Sequence, residues 1–118
     1  MQIVKDDKAW LVRVEDQDNQ MGLVNMLRSL EKLNGDISEE NVDDLMLSID
    51  LRELKRANSE LIAQFVMLQS NLVRNNGRLN IVNANLELKG AFDVVMLDKI
   101  INIQYEGLDE SESSSEEE

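Results

Sequence analysis

The chain has 118 residues, enough for one hydrophobic core and not two. It has no Cys and no His, which excludes disulfides, thiolate chemistry, the usual general base near neutral pH and the commonest transition-metal ligand. The net charge is −12, and six of the 24 acidic residues fall in 107–118 with no basic one among them; the −6 left on the rest argues against nucleic acid as a direct partner.

Two short strands are expected first, Gln2–Val4 and Ala9–Glu15. In the second, Trp10, Val12 and Val14 alternate with Leu11, Arg13 and Glu15, as in a half-buried strand. Asp6-Asp7-Lys8 reads as the hairpin turn between them. Asp18-Asn19 then offers an N-cap. From Gln20 to Leu33, Met21, Val24, Leu27, Leu30 and Leu33 recur at three-residue steps, with Leu23 and Met26 beside them, which predicts a helix with one apolar face. Asn34-Gly35 reads as its stop. Asp36 to Asp44 reads as a polar loop, or a short helical turn begun by Ser38.

Leu45 to Leu51 is a buried strand. Ser59 to Asn76 is the second helix, with Leu61, Ile62, Phe65, Val66, Met67, Leu68, Leu72 and Val73 on a broad apolar face. Gly77 ends it, and Leu79–Val82 is a further buried strand. Asn83–Asn85 reads as a turn. Leu86–Leu97 fits a third helix with Leu88, Phe92 and Val95 on one side, and Ile100–Tyr105 is the last strand. Aromatics are only 3% of the chain, so the methionines Met21, Met26, Met46, Met67 and Met96 are expected in the core.

Helices alternating with short apolar strands give the fold class: α/β, a mostly parallel four- to five-stranded sheet with an antiparallel edge and three to four helices. The domain is expected over 1–106 and a disordered acidic tail over 107–118. No apolar run is long enough to span a bilayer, and Met1–Asp7 lacks the basic-then-apolar pattern of a signal peptide. A cytoplasmic protein without membrane insertion is the expectation.

Ser59 is the residue of most chemical interest. It stands where a loop meets a long helix, so its hydroxyl lies at the positive end of the helix dipole, a place that suits a reversible phosphate. The plain reading is that Ser59 caps the helix, with Asn58 as the other candidate. Asp50 reads as a strand-end residue or a cap for the following loop. Glu39, Glu40, Asp43 and Asp44 do not have the spacing of a calcium loop and read as a solvated acidic stretch. No Gly-rich phosphate loop, nucleophile elbow or metal-ligand cluster is present, so no catalytic residue, metal or cofactor is expected.

The order β-β-α-β-α-β-α-β and the stretch from Leu45 to Tyr105 resemble the STAS domain of anti-sigma-factor antagonists. Ile49-Asp50-Leu51 resembles that family's strand end. Ala57-Asn58-Ser59-Glu60-Leu61 stands where the family has Asp-Ser-Ser-Gly-Leu, retaining Ser59 and Leu61. Asn76-Gly77-Arg78-Leu79-Asn80-Ile81-Val82 is similar to the strand that follows, and Phe92–Ile103 to the last helix and strand. The resemblance implies a protein-binding, non-enzymatic regulator in a bacterial partner-switching pathway. Its partner would be an anti-sigma factor of the Ser/Thr-kinase type that phosphorylates Ser59, with a phosphatase reversing the modification. The implied binding surface is Lys55, Arg56, Asn58, Ser59 and Glu60. Two other readings stand beside it: a non-switching STAS-like subunit of a lipid-transport complex or stressosome-type scaffold, and a small-molecule or nucleotide binder.

Overall fold

Alternating apolar residues set up a five-stranded sheet in the computed structural model, which describes residues 1–106 except for the side chains of Met21 and Gly22. The expected tail, 107–118, lies outside the described residues. β1 (Gln2–Asp6) pairs antiparallel with β2 (Ala9–Arg13) across an Asp7-Lys8 turn, with Asp7 at φ 43°. β3 (Met46–Asp50), β4 (Arg78–Ala84) and β5 (Asn102–Tyr105) then add one after another, each parallel to the last. The order is simply β1-β2-β3-β4-β5.

That order decides the layering. Three crossovers of the usual right hand, all stepping in the same direction, leave their helices on the same face of the sheet. Trp10, Val12, Leu47, Ile49, Leu79 and Ile81 point into that face and are buried. α1 (Gln20–Glu40), α2 (Ser59–Val73) and α3 (Leu86–Val94) cover it. Phe65 of α2 meets Phe92 of α3 edge to face, 6.4 Å between ring centres. The other face carries Leu11, Met46, Ser48, Asn80 and Asn102, exposed or half-buried, with no helix over it among the described residues.

α1 overruns its expected stop at Asn34-Gly35 and takes in Asp36–Glu40, expected as loop. Two contacts outweigh the local signal. Ile37 extends the buried stripe of Met26, Leu30 and Leu33 by one more turn. Asn34 is buried, donating to Gln64 Oε1 at 2.9 Å and accepting from Asn71 Nδ2 at 2.9 Å, so it joins α1 to α2. The helix ends at Asn41, in the left-handed conformation with φ 50°.

Other boundaries also move. α2 stops at Val73 and not Asn76, with Gly77 N–H donating to Leu72 O at 2.8 Å. Asn83 is not in a turn: at φ 56° it forms a bulge inside β4, where the β5 pairing slips between Ile81 and Ala84. α3 stops at Val94, a 3-10 turn spans Leu97–Lys99, and β5 begins only at Asn102. Of the methionines, Met26 is buried, while Met46, Met67 and Met96 are exposed. Val73, placed on the apolar face of α2, is exposed as well.

The glycines give a direct check on these boundaries. Gly35 is exposed in the helix interior, and a Cβ there would meet nothing within 4 Å. Gly35→Ala should raise the unfolding free energy by about 0.5–1 kcal/mol in a urea titration. If Gly35 instead ended the helix, the same change would destabilise. A Cβ on Gly77 would lie against the Leu45 carbonyl oxygen, backbone that cannot step aside. Gly77→Ala should lower stability by about 1–3 kcal/mol in the same titration.

Candidate functional site

Parallel strands place the loop after each strand, and the start of each helix, at one end of the sheet. The segment 51–58 between β3 and α2 lies at that end. Leu51 and Leu54 anchor it, both fully buried. Three short polar side chains tie its backbone. Asp50 Oδ1 accepts from Arg52 N–H at 2.9 Å, the loop cap expected of it. Asn19 donates to Glu53 O at 2.7 Å and accepts from Lys55 N–H at 2.8 Å. Asn85 donates to Leu54 O at 2.6 Å. The loop is therefore clamped from both neighbouring crossovers.

Asn19 makes no side-chain cap to α1, contrary to the expectation for Asp18-Asn19. Asp18 is buried and accepts from Glu15 N–H at 2.8 Å; with Glu15 it also pairs with the Met1 ammonium, at 3.0 and 2.9 Å. The spacing that resembled a helix start belongs to a polar cluster on the preceding 3-10 turn, Asp16–Asn19.

At the head of α2 the cap is Asn58, not Ser59. Asn58 has extended backbone, and its Oδ1 accepts from Leu61 N–H at 2.8 Å. Ser59 is the first helical residue, and its hydroxyl is exposed and free of the capping duty. The N–H groups of Ser59 and Glu60 head the helix with no acceptor among the described residues. Glu60 is exposed next to Ser59, and Lys55 and Arg56 are exposed upstream; neither cation pairs with a carboxylate among the described residues. The five expected residues thus lie together on one segment.

Beside them is a feature the sequence reading missed. A groove of about 430 Å³ runs between the first turn of α2 and the end of α3, lined by Ala57, Asn58, Ser59, Ile62, Ala63, Ala91, Val94 and Val95. Val94 is 82% exposed and Val95 47%, so Val95 is not on the core side of α3 as expected. Val94-Val95-Met96 was the available signal, since three consecutive apolar residues at a helix end cannot all face one core.

Solved structures share the fold along nearly the whole chain. The NMR structure of the protein TM1081 superposes with a TM-score of 0.66 at 14% identity, over 95% of this chain and 85% of that one. The fold is that of a STAS domain. A crystal structure of TM1081, described as a candidate anti-sigma factor antagonist from Thermotoga maritima, gives a TM-score of 0.60 at 11% identity, covering 95% of this chain and 92% of that one. A chain from the molecular architecture of the stressosome, a signal integration and transduction hub, gives 0.61 at 14% identity, covering 95% and 94%. No protein-family model and no curated protein matches the sequence. At these identities the likeness to the STAS fold is one of backbone, and the roles of single residues rest on geometry alone.

The division of labour between Asn58 and Ser59 is measurable. Asn58→Ala should cost about 1 kcal/mol of stability by losing the cap, while Ser59→Ala should stay within about 0.5 kcal/mol of the parent. Equal losses for the two would return the cap to Ser59.

Proposed function

We propose that this STAS-fold chain is a protein-binding regulator of the anti-sigma-factor-antagonist type, acting in a bacterial partner-switching pathway, and not an enzyme. The observation that supports it best is the apolar groove lying against an exposed serine at a helix head. Apolar surface supplies affinity for a protein partner, and a hydroxyl at its rim supplies a place to switch that affinity off. The partner is a kinase-like anti-sigma factor seated over Lys55, Arg56, Asn58, Ser59, Glu60 and the groove.

Ser59 is the phospho-acceptor in this reading. A phosphate would add about −1.5 to −2 charges beside the open Ser59 and Glu60 N–H groups and within the reach of Arg56 or Lys55, so the free protein tolerates it. Glu60 opposes it with one like charge. In a complex the same dianion would have to lose water against the apolar groove, which costs several kcal/mol. Phosphorylation therefore releases the partner.

A second reading keeps the docking surface without the switch. Asn58 already caps α2 and Glu60 already places a carboxylate there, so the segment is stable unmodified. The chain would then be a fixed subunit of a larger assembly.

Affinity capture with the wild type, Ser59→Ala, Ser59→Asp and Val94→Asp separates the two, with mass spectrometry of the bound proteins and of Ser59. Expected is a kinase-fold partner held by the wild type and Ser59→Ala, and weakened at least tenfold by Ser59→Asp and Val94→Asp. Loss with Val94→Asp alone, with Ser59 never phosphorylated, supports the fixed-subunit reading. Retention by all four forms would mean that the partner docks elsewhere.

A further inference from the structure

We propose that Asn76 is a site of spontaneous deamidation through a cyclic imide, and that its isoaspartyl product weakens the junction of α2 and β4. Asn-Gly occurs twice in the chain, at Asn34-Gly35 and at Asn76-Gly77. Such a pair is chemically labile because glycine, lacking a Cβ, leaves its backbone nitrogen open to the asparagine side chain before it. Locally the two pairs are alike, so the fold decides between them.

The first pair is locked. Asn34 and Gly35 sit inside α1, where ring closure would pull the backbone out of its helical ladder. The Asn34 amide is buried and held at both ends, its nitrogen donating to Gln64 Oε1 at 2.9 Å and its oxygen accepting from Asn71 Nδ2 at 2.9 Å. Reaction there requires α1 to part from α2.

The second pair is held only by its own turn. Asn76 is exposed and is the left-handed residue, φ 63°, that ends α2. Its N–H donates to Val73 O at 3.0 Å, and Gly77 N–H donates to Leu72 O at 2.8 Å, the paired bonds of a Schellman motif. Freeing the Gly77 nitrogen costs that one bond and a rotation within a surface turn, with the core left in place. Two separate constraints put the labile pair here. Position 76 needs a positive φ, which asparagine adopts more readily than other side chains. Position 77 must lack a Cβ, because one would lie against the Leu45 carbonyl oxygen.

The Gly77 nitrogen gives its proton to water or hydroxide and bonds to Asn76 Cγ. The Cγ–Nδ2 bond breaks and ammonia leaves. Water then opens the ring on one of two sides. Cleavage between the ring nitrogen and Cγ gives an ordinary aspartate. Cleavage between the ring nitrogen and the main-chain carbonyl carbon routes the chain through Cγ, which adds a methylene to the backbone. The net change in either case is one amide and one water for one carboxylate and one ammonia.

The added methylene falls between two anchored points. On one side Asn76 N–H is bonded to Val73 O; on the other Gly77 packs on Leu45, and Arg78 N–H bonds to Leu45 O at 3.0 Å. A longer link cannot keep both, so the start of β4 loosens against β3. The aspartyl product keeps the backbone spacing and only adds a charge. This end of α2 is opposite the Ser59 end, and the inference does not rest on the function proposed above.

Ageing the full chain in warm, mildly alkaline buffer tests this, with peptide mapping that separates aspartyl from isoaspartyl forms. In the native chain Asn76 should convert at least about tenfold faster than Asn34, while in guanidinium chloride the two should convert at comparable rates. Equal rates in the native chain, or an Asn76 that stays intact while both pairs react in denaturant, would overturn the site. The isoaspartyl fraction, isolated by chromatography, should unfold at lower urea than both the unaged chain and Asn76→Asp. A midpoint equal to that of Asn76→Asp would overturn the backbone effect. Asn76→Gly keeps the left-handed turn without the amide, and should age with no low-midpoint fraction; such a fraction there would place the damage elsewhere and overturn the proposal.

Discussion

Everything at the end of the molecule that carries the candidate site follows from a parallel strand order that never reverses. Where a doubly wound sheet changes direction, two loops splay apart and leave a crevice at the strand ends. Here β2, β3, β4 and β5 follow in sequence, so the sheet has no such switch point; a shallow cavity of about 380 Å³ lies between the ends of β2 and β3, lined by Arg13, Val14, Asp50, Arg52 and Glu53. The loops after β3 and β4 and the turn before α1 are pushed side by side. Polar side chains join them at the points where one loop meets the next: Asn19 to the 51–58 loop on one flank, Asn85 to it on the other.

Rigidity at this point has a physical cause that hydrophobic patterning does not reveal. The 51–58 loop has only two buried apolar anchors, Leu51 and Leu54. Its remaining order comes from amide side chains that satisfy backbone groups which would otherwise need water. Asn suits that task because its short side chain carries both donor and acceptor, so Asn19 can bind a carbonyl and an N–H of the same loop at once. The cost of moving this loop is therefore spread over several hydrogen bonds of about 1 kcal/mol each. A partner docking here, as proposed, would meet a surface that is already ordered, and less of its binding energy would go into ordering it.

The strands and the helix faces were legible in the sequence because period-two and helical-period burial leave direct marks: Trp10, Val12, Leu47, Ile49, Leu61, Phe65 and Leu68 all lie where the pattern puts them. Several of the errors share one cause. Asn and Gly signal chain reversal locally, and tertiary contacts reassigned them. Asn34 became an inter-helix link, Gly35 an ordinary helical residue, Asn83 a bulge and Asn58 the cap that Ser59 was expected to be. For the site, the five residues on one segment were readable because they are contiguous. Val94 and Val95 were not, because their meeting with Ile62 and Ala63 depends on the path of α3 over α2, which no local pattern encodes.

The reassignment of the cap changes how a charge at Ser59 acts. Had Ser59 been the cap, phosphorylation would have removed a hydrogen bond from the helix and coupled the modification to folding. With Asn58 as the cap, the Ser59 hydroxyl is free to change without touching the α2 hydrogen bonds. The effect then falls on the surface alone. Covering a valine fully is worth about 1.5–3 kcal/mol, so in the proposed complex Val94, Val95 and the exposed part of Ile62 would supply only a few kcal/mol. Desolvating a phosphate dianion at the rim costs several. The two are of the same size, as the proposed switch requires: a much larger apolar surface would hold a partner through the modification, and a smaller one would not hold it at all. Glu60, exposed and one residue further along the helix, carries a single charge that can turn toward water. It biases that balance without tipping it.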